Sequence, residues 1–202
     1  MELREALQQI TDIRQQMARS EVFRGYRSLT VGFSGLLGLT AAMIQSTYVP
    51  SPQDDLKRYL VLWVSVATIS AGVAGAELYW RAKHAGPGLS RDLTRLAVEQ
   101  FAPCLVVGAL LTLAIYLGAR DVAWMLPGLW SLLFSLGIFA SCRLLPSQVI
   151  WAGLYYVACG CVCLRWGSHH AFSPWRMALC FGGGQLLCAS ILFWTLERND
   201  AT

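Results

Sequence analysis

Three groups of residues in this chain could do chemistry. Glu77, Glu99 and Gln100 stand near the ends of apolar stretches. Pro103 lacks the amide that would bond the carbonyl of Glu99, four residues earlier. Two carboxylates, an amide and a freed carbonyl are oxygen donors suited to a cation or a transferred proton. The second group is Gly182, Gly183, Gly184 and Gln185, which are consecutive. A glycine run weakens a helix, and a helix interrupted at mid-membrane exposes backbone to a solute. The third group is sulfur. On a helix Cys159 and Cys163 share a face, and an antiparallel neighbour brings Cys180 to similar depth, with His169 and His170 just beyond. Thiolates and imidazoles bind soft metals such as copper(I) or zinc.

Each group also has a plainer reading. Glu77 can pair with Arg81 one turn on, and Glu99 with Arg95 one turn back, at headgroup depth. The glycines can serve close helix packing, with Gln185 bonding across to a neighbour. Cysteine is a small apolar residue suited to buried positions, and the seven cysteines include no C-x-x-C pair. A secreted disulfide framework is not expected, and a reducing, membrane-buried setting fits better. Enzyme chemistry is not expected either. His84, His169 and His170 fall in loops, and there is no H-E-x-x-H, G-x-S-x-G or phosphate-cradling glycine loop. Nothing calls for a cofactor. Nucleic-acid binding is not expected, because the basic residues are spread around the ends of apolar stretches rather than gathered with stacking aromatics.

What must position these residues is a set of six apolar stretches, 28–46, 59–80, 101–117, 122–141, 148–166 and 175–194. Each approaches the ~20 residues that cross a ~30 Å hydrocarbon layer as a helix. Backbone amides in lipid must bond within their own segment, so the expected class is all-α: a polytopic membrane protein of six helices. The 202 residues leave no room for a second soluble domain. The division expected is an arm at 1–27, a membrane domain at 28–196 and a tail at 197–202. The polar start of the chain is unlike a cleavable signal peptide.

Charge placement gives orientation. Eleven of the sixteen Lys and Arg fall in the arm, the second and fourth connections and the tail. Positive charge is retained in the cytoplasm, so both termini are expected there, in an inner (plasma) membrane. Six of the eight tryptophans fall at the predicted edges, where interfacial rings settle.

Within the arm, Leu3, Ile10 and Met17 repeat every seven residues with Ala6 and Ile13 between them, predicting a short cytoplasmic amphipathic helix over 1–19. Its narrow stripe needs cover, from the protein itself, the lipid surface, a second copy or another protein. Ser51-Pro52 and Ser173-Pro174 read as helix starts, with serine as cap and proline first in the helix. Ser90 reads as the cap of a third helix that begins in water and enters the membrane continuously. Small residues at four-residue spacing, Ser34, Gly38 and Ala42 in the first stretch and Ser70 with Ala74, Ala71 with Gly75 and Gly72 with Ala76 in the second, predict faces of close approach, within the protein or with a second copy. Ser173-Pro174-Trp175 resembles the motif of small bacterial membrane proteins named for SPW repeats, over three residues of 202. So short a match implies neither fold nor activity. The expected role is a non-enzymatic interaction or accessory membrane protein. The alternative is a small-solute or ion transporter or channel with its site in the sixth helix.

Overall fold

The computed structural model describes residues 28–84, 89–142, 145–167 and 171–197. The arm, with the heptad expected over 1–19, lies outside the described residues, as do His169, His170 and the tail from 198. Six helices are long and apolar enough to cross a membrane, and no strand occurs among the described residues. They are α1 (Ser28–Tyr48), α2 (Leu56–His84), α3 (Leu89–Gly118), α4 (Leu126–Ser141), α5 (Ile150–Arg165) and α6 (174–197). Short 3₁₀ turns, Arg120–Met125 and Ser147–Val149, lead into α4 and α5.

The turns differ from their sequence reading. Ser51 does not cap α2. Its carbonyl accepts the amides of Asp54 and Asp55, both at 3.1 Å, so Pro52 sits in a separate turn and α2 starts only at Leu56. Asp55 takes over the cap, accepting the amide of Arg58 at 3.1 Å. At Ser173, proline does open the helix, but no serine side chain bonds a free amide. Ser90 lies one residue inside α3 rather than before it. That helix runs unbroken past Pro103, as the sequence suggested. The end of α5 needs a left-handed residue, and Gly167 supplies it at φ 66°, its amide bonding the carbonyl of Leu164 at 3.3 Å.

Glycine sets which helices approach closely. A Cβ built on Gly128 of α4 would lie 3.0 Å from the carbonyl oxygen of Gly160 on α5, and one on Gly160 would lie 3.0 Å from that of Gly128. On α1, a Cβ at Gly35 would lie 3.2 Å from the carbonyl oxygen of Gly182, and one at Gly38 would lie 3.4 Å from its amide. The backbones of α4 and α5, and of α1 and α6, therefore approach closely at these glycines, with Leu164, Leu132, Leu186 and Leu39 packed against them.

Two apolar clusters fill the bundle. One, at the end carrying the turns after α1, α3 and α5, gathers Ala41, Val49, Tyr59, Trp63, Ile115, Leu126 and Met177. The other gathers Val31, Ile138, Val149, Ala152, Tyr156 and Leu192. Burial is uneven. About two-fifths of the spanning windows of α1, α4, α5 and α6 is buried (39%, 44%, 39% and 39%), against 17% for α2 and 6% for α3.

Candidate functional site

The glycine run falls in α6, where the helix widens. An α-helical first turn at Pro174–Met177 passes into a π-helix over Ala178–Gly183 and returns to α-helix at Gly184–Leu192. The interruption expected at Gly182, Gly183, Gly184 and Gln185 is therefore a widened turn in a continuous helix. All three glycines are occupied by neighbours. A Cβ would meet Leu39 at 2.7 Å from Gly182, the Tyr155 hydroxyl at 2.8 Å from Gly183 and the Tyr156 hydroxyl at 2.7 Å from Gly184. Gly182 and Gly184 are buried, while Gln185 is half-buried. The run accommodates two tyrosines and a leucine, and its backbone is covered by them.

Sulfur converges on the same wide turn. The thiols of Cys163 and Cys180 lie 3.7 Å apart, joining α5 to α6. Cys159, one turn from Cys163, also interacts with Cys180. The antiparallel pairing inferred from sequence is the one that forms. No three His, Cys, Asp or Glu side chains among the described residues are grouped to hold a metal ion, and Cys159 and Cys163 both approach Cys180.

Sequence reasoning passed over the phenols around this sulfur. The Tyr155 hydroxyl donates to the carbonyl of Leu179 at 2.7 Å, inside the π segment. The hydroxyls of Tyr59 and Tyr156 are buried and have no hydrogen-bond partner. Tyrosine in an apolar span was the available signal, since a buried hydroxyl ordinarily seeks a partner.

Glu77 of α2 is half-buried and accepts a hydrogen bond from the Thr30 hydroxyl of α1. Glu99 is exposed on α3, and the Gln100 side-chain oxygen is buried without a hydrogen-bond partner. Glu77 thus ties α2 to α1, while the side chain of Arg81, its partner in the sequence reading, lies outside the described residues.

Gln45 makes a buried polar contact that joins three parts of the bundle. Its side chain is fully closed to solvent. The Trp63 indole N–H donates to its oxygen at 2.8 Å, and its own amide donates to the carbonyl of Phe172 at 2.6 Å. One residue of α1 is thereby bonded to α2 and to the turn before α6, and Phe172 also packs edge-on to Tyr59 at 4.7 Å between ring centres. A cavity of about 550 Å³ opens beside it between the two serine-proline turns, lined by Gln45, Ser51, Asp54, Phe172 and Ser173. Arg176 lies 5.4 Å above the Trp166 ring.

No protein-family model, curated protein or solved structure matches this chain. The three-residue likeness to SPW repeats accordingly carries nothing further. The functional reading rests on geometry alone.

Proposed function

We propose that this chain is a multi-pass inner-membrane protein, both termini cytoplasmic, whose role is non-enzymatic: it associates with a transmembrane partner through one face of α2. The observation that carries this reading is that nothing lies within 4 Å of a Cβ built on Gly72 or Gly75. The glycines of α1, α4, α5 and α6 all meet neighbouring atoms of the chain. On α2 the runs Ala67-Ala71-Gly75 and Thr68-Gly72-Ala76 remain exposed. They continue an apolar depression of about 510 Å³ along Val61, Val64, Ser65 and Thr68. Between membrane helices there is no hydrophobic drive to associate, so small faces that permit backbone approach are what helix pairs use. The transport alternative loses support where it needed exposed backbone, because leucine and tyrosine occupy the glycine run.

Native mass spectrometry of the full chain, released from its own membrane in mild detergent, tests this. The expected result is a defined oligomer or partner complex that the pair Gly72→Leu and Gly75→Leu dissociates while the bundle stays folded. A wild-type monomer without a partner chain overturns the reading, and so does an assembly that the leucines leave intact. Deleting 1–19 separates the arm from the α2 face. Loss of association there with the leucine variants unaffected transfers the contact to the arm.

A further inference from the structure

We propose that Cys163 and Cys180 form a redox-responsive dithiol, which a hydroperoxide converts to a disulfide bridging α5 and α6. Their sulfurs are 3.7 Å apart, so bond formation requires them to close by about 1.7 Å. The surrounding contacts already hold the two helices in register. Tyr155 bonds the Leu179 carbonyl at 2.7 Å, and Gly183 packs under the same hydroxyl. A wide helical turn next to this pair gives α6 the slack that closure needs, and such turns are frequent at functional sites. Of the other cysteines only Cys159 interacts with Cys180, while Cys161, two residues away, is exposed on the opposite side of α5.

Location favours oxidation. Cys163 stands two residues before the end of α5 at Arg165, in the turn-bearing end of the bundle. In the orientation proposed above, that end faces out of the cytoplasm, where thiols are not kept reduced. The inference uses that orientation but is independent of the α2 contact.

The chemistry balances with one equivalent of hydroperoxide. Cys163, at 7% exposure the more accessible of the two against 2% for Cys180, attacks the peroxide oxygen. With hydrogen peroxide this yields a sulfenic acid and one water. The Cys180 sulfur then displaces the hydroxyl, which leaves with the thiol proton as a second water. Two thiols lose two electrons in all, and the O–O bond takes them up.

The test uses the full chain in nanodiscs of phosphatidylethanolamine and phosphatidylglycerol. Reduced protein is treated with hydrogen peroxide, quenched with catalase, unfolded in detergent with N-ethylmaleimide and mapped by mass spectrometry. The expected product carries two fewer adducts than the seven of the reduced chain, with one cross-linked peptide pair containing Cys163 and Cys180. Dithiothreitol restores both adducts. Cys180→Ser keeps every remaining thiol at the same dose, whereas Cys161→Ser closes like the wild type. An unchanged adduct count overturns the proposal, as does a cross-link between other cysteines or between chains. Because the wild-type peptide map decides the matter by itself, a serine variant that fails to fold leaves the test intact. Failure here, with the Gly72 and Gly75 variants still dissociating, leaves the proposed function standing.

Discussion

Trp63 donates its indole N–H to Gln45 at 2.8 Å, joining α2 to α1 in a place closed to solvent. Gln45 uses its other end on the Phe172 carbonyl at 2.6 Å. Replacing it with leucine therefore strands a donor and an acceptor together. Leaving a buried polar group without its partner costs about 1–3 kcal/mol. Gln45→Leu should lower the thermal midpoint in detergent accordingly. Adding Trp63→Phe removes one of the stranded groups, so the double variant should lose less than the sum of the two single losses. Strict additivity would show that the two residues are not coupled.

Glycine substitutions should divide by helix. Alanine at Gly128 or Gly160 pushes a methyl towards a carbonyl 3.0 Å away, and overpacking of this kind costs about 1–3 kcal/mol. At Gly72 the space is empty, and alanine is the better helix former by roughly 1 kcal/mol. Chemical or thermal unfolding of monomeric protein should therefore rank Gly72→Ala at or above wild type and Gly128→Ala clearly below it. The reverse order would mean that the α4–α5 contact is looser than described.

Two adjacent tyrosines should respond oppositely to loss of the hydroxyl. Tyr155→Phe gives up the bond to the Leu179 carbonyl, worth about 0.5–1.5 kcal/mol. The Tyr156 hydroxyl is buried without a partner, so Tyr156→Phe should be neutral or stabilising. A large loss on Tyr156→Phe, measured by the same unfolding assay, would show that its hydroxyl is bonded.

Asp55 should matter as a cap more than as a charge. Its ion pair with Arg58, 3.1 Å long, joins side chains 61% and 42% exposed, and exposed pairs contribute little. Asp55→Ala should cost about 1 kcal/mol, whereas Asp55→Asn, an equally good cap, should cost far less. Similar losses for both variants would assign the effect to the ion pair.

Most of the architecture could be read from hydropathy, because lipid-length apolar runs admit few folds. All six helices long enough to span fall within a few residues of the stretches marked in the sequence. The start of α2 was misplaced since Ser51-Pro52-Gln53-Asp54 carries the composition of a helix start, yet the backbone turns once more before Leu56. Nor could composition distinguish used small residues from unused ones. Gly38 and Gly72 look alike in sequence, and only the bundle reveals that one meets Gly182 while the other meets nothing. The convergence of Cys159 and Cys163 on Cys180 was accessible from helical spacing, but the 3.7 Å approach of Cys163 to Cys180 depended on side-chain placement. Gln45 went unremarked because one amide near the end of an apolar run announces neither partner.

The contact of α1 with α6 also bears on the order in which the protein is made. Gly35 and Gly38 leave the ribosome long before Gly182, their counterpart, exists. The α4–α5 hairpin can zip up on emergence, since its two glycines belong to consecutive helices. In the membrane arrangement proposed above, the α1–α6 contact is thus completed only when the final helix has been made.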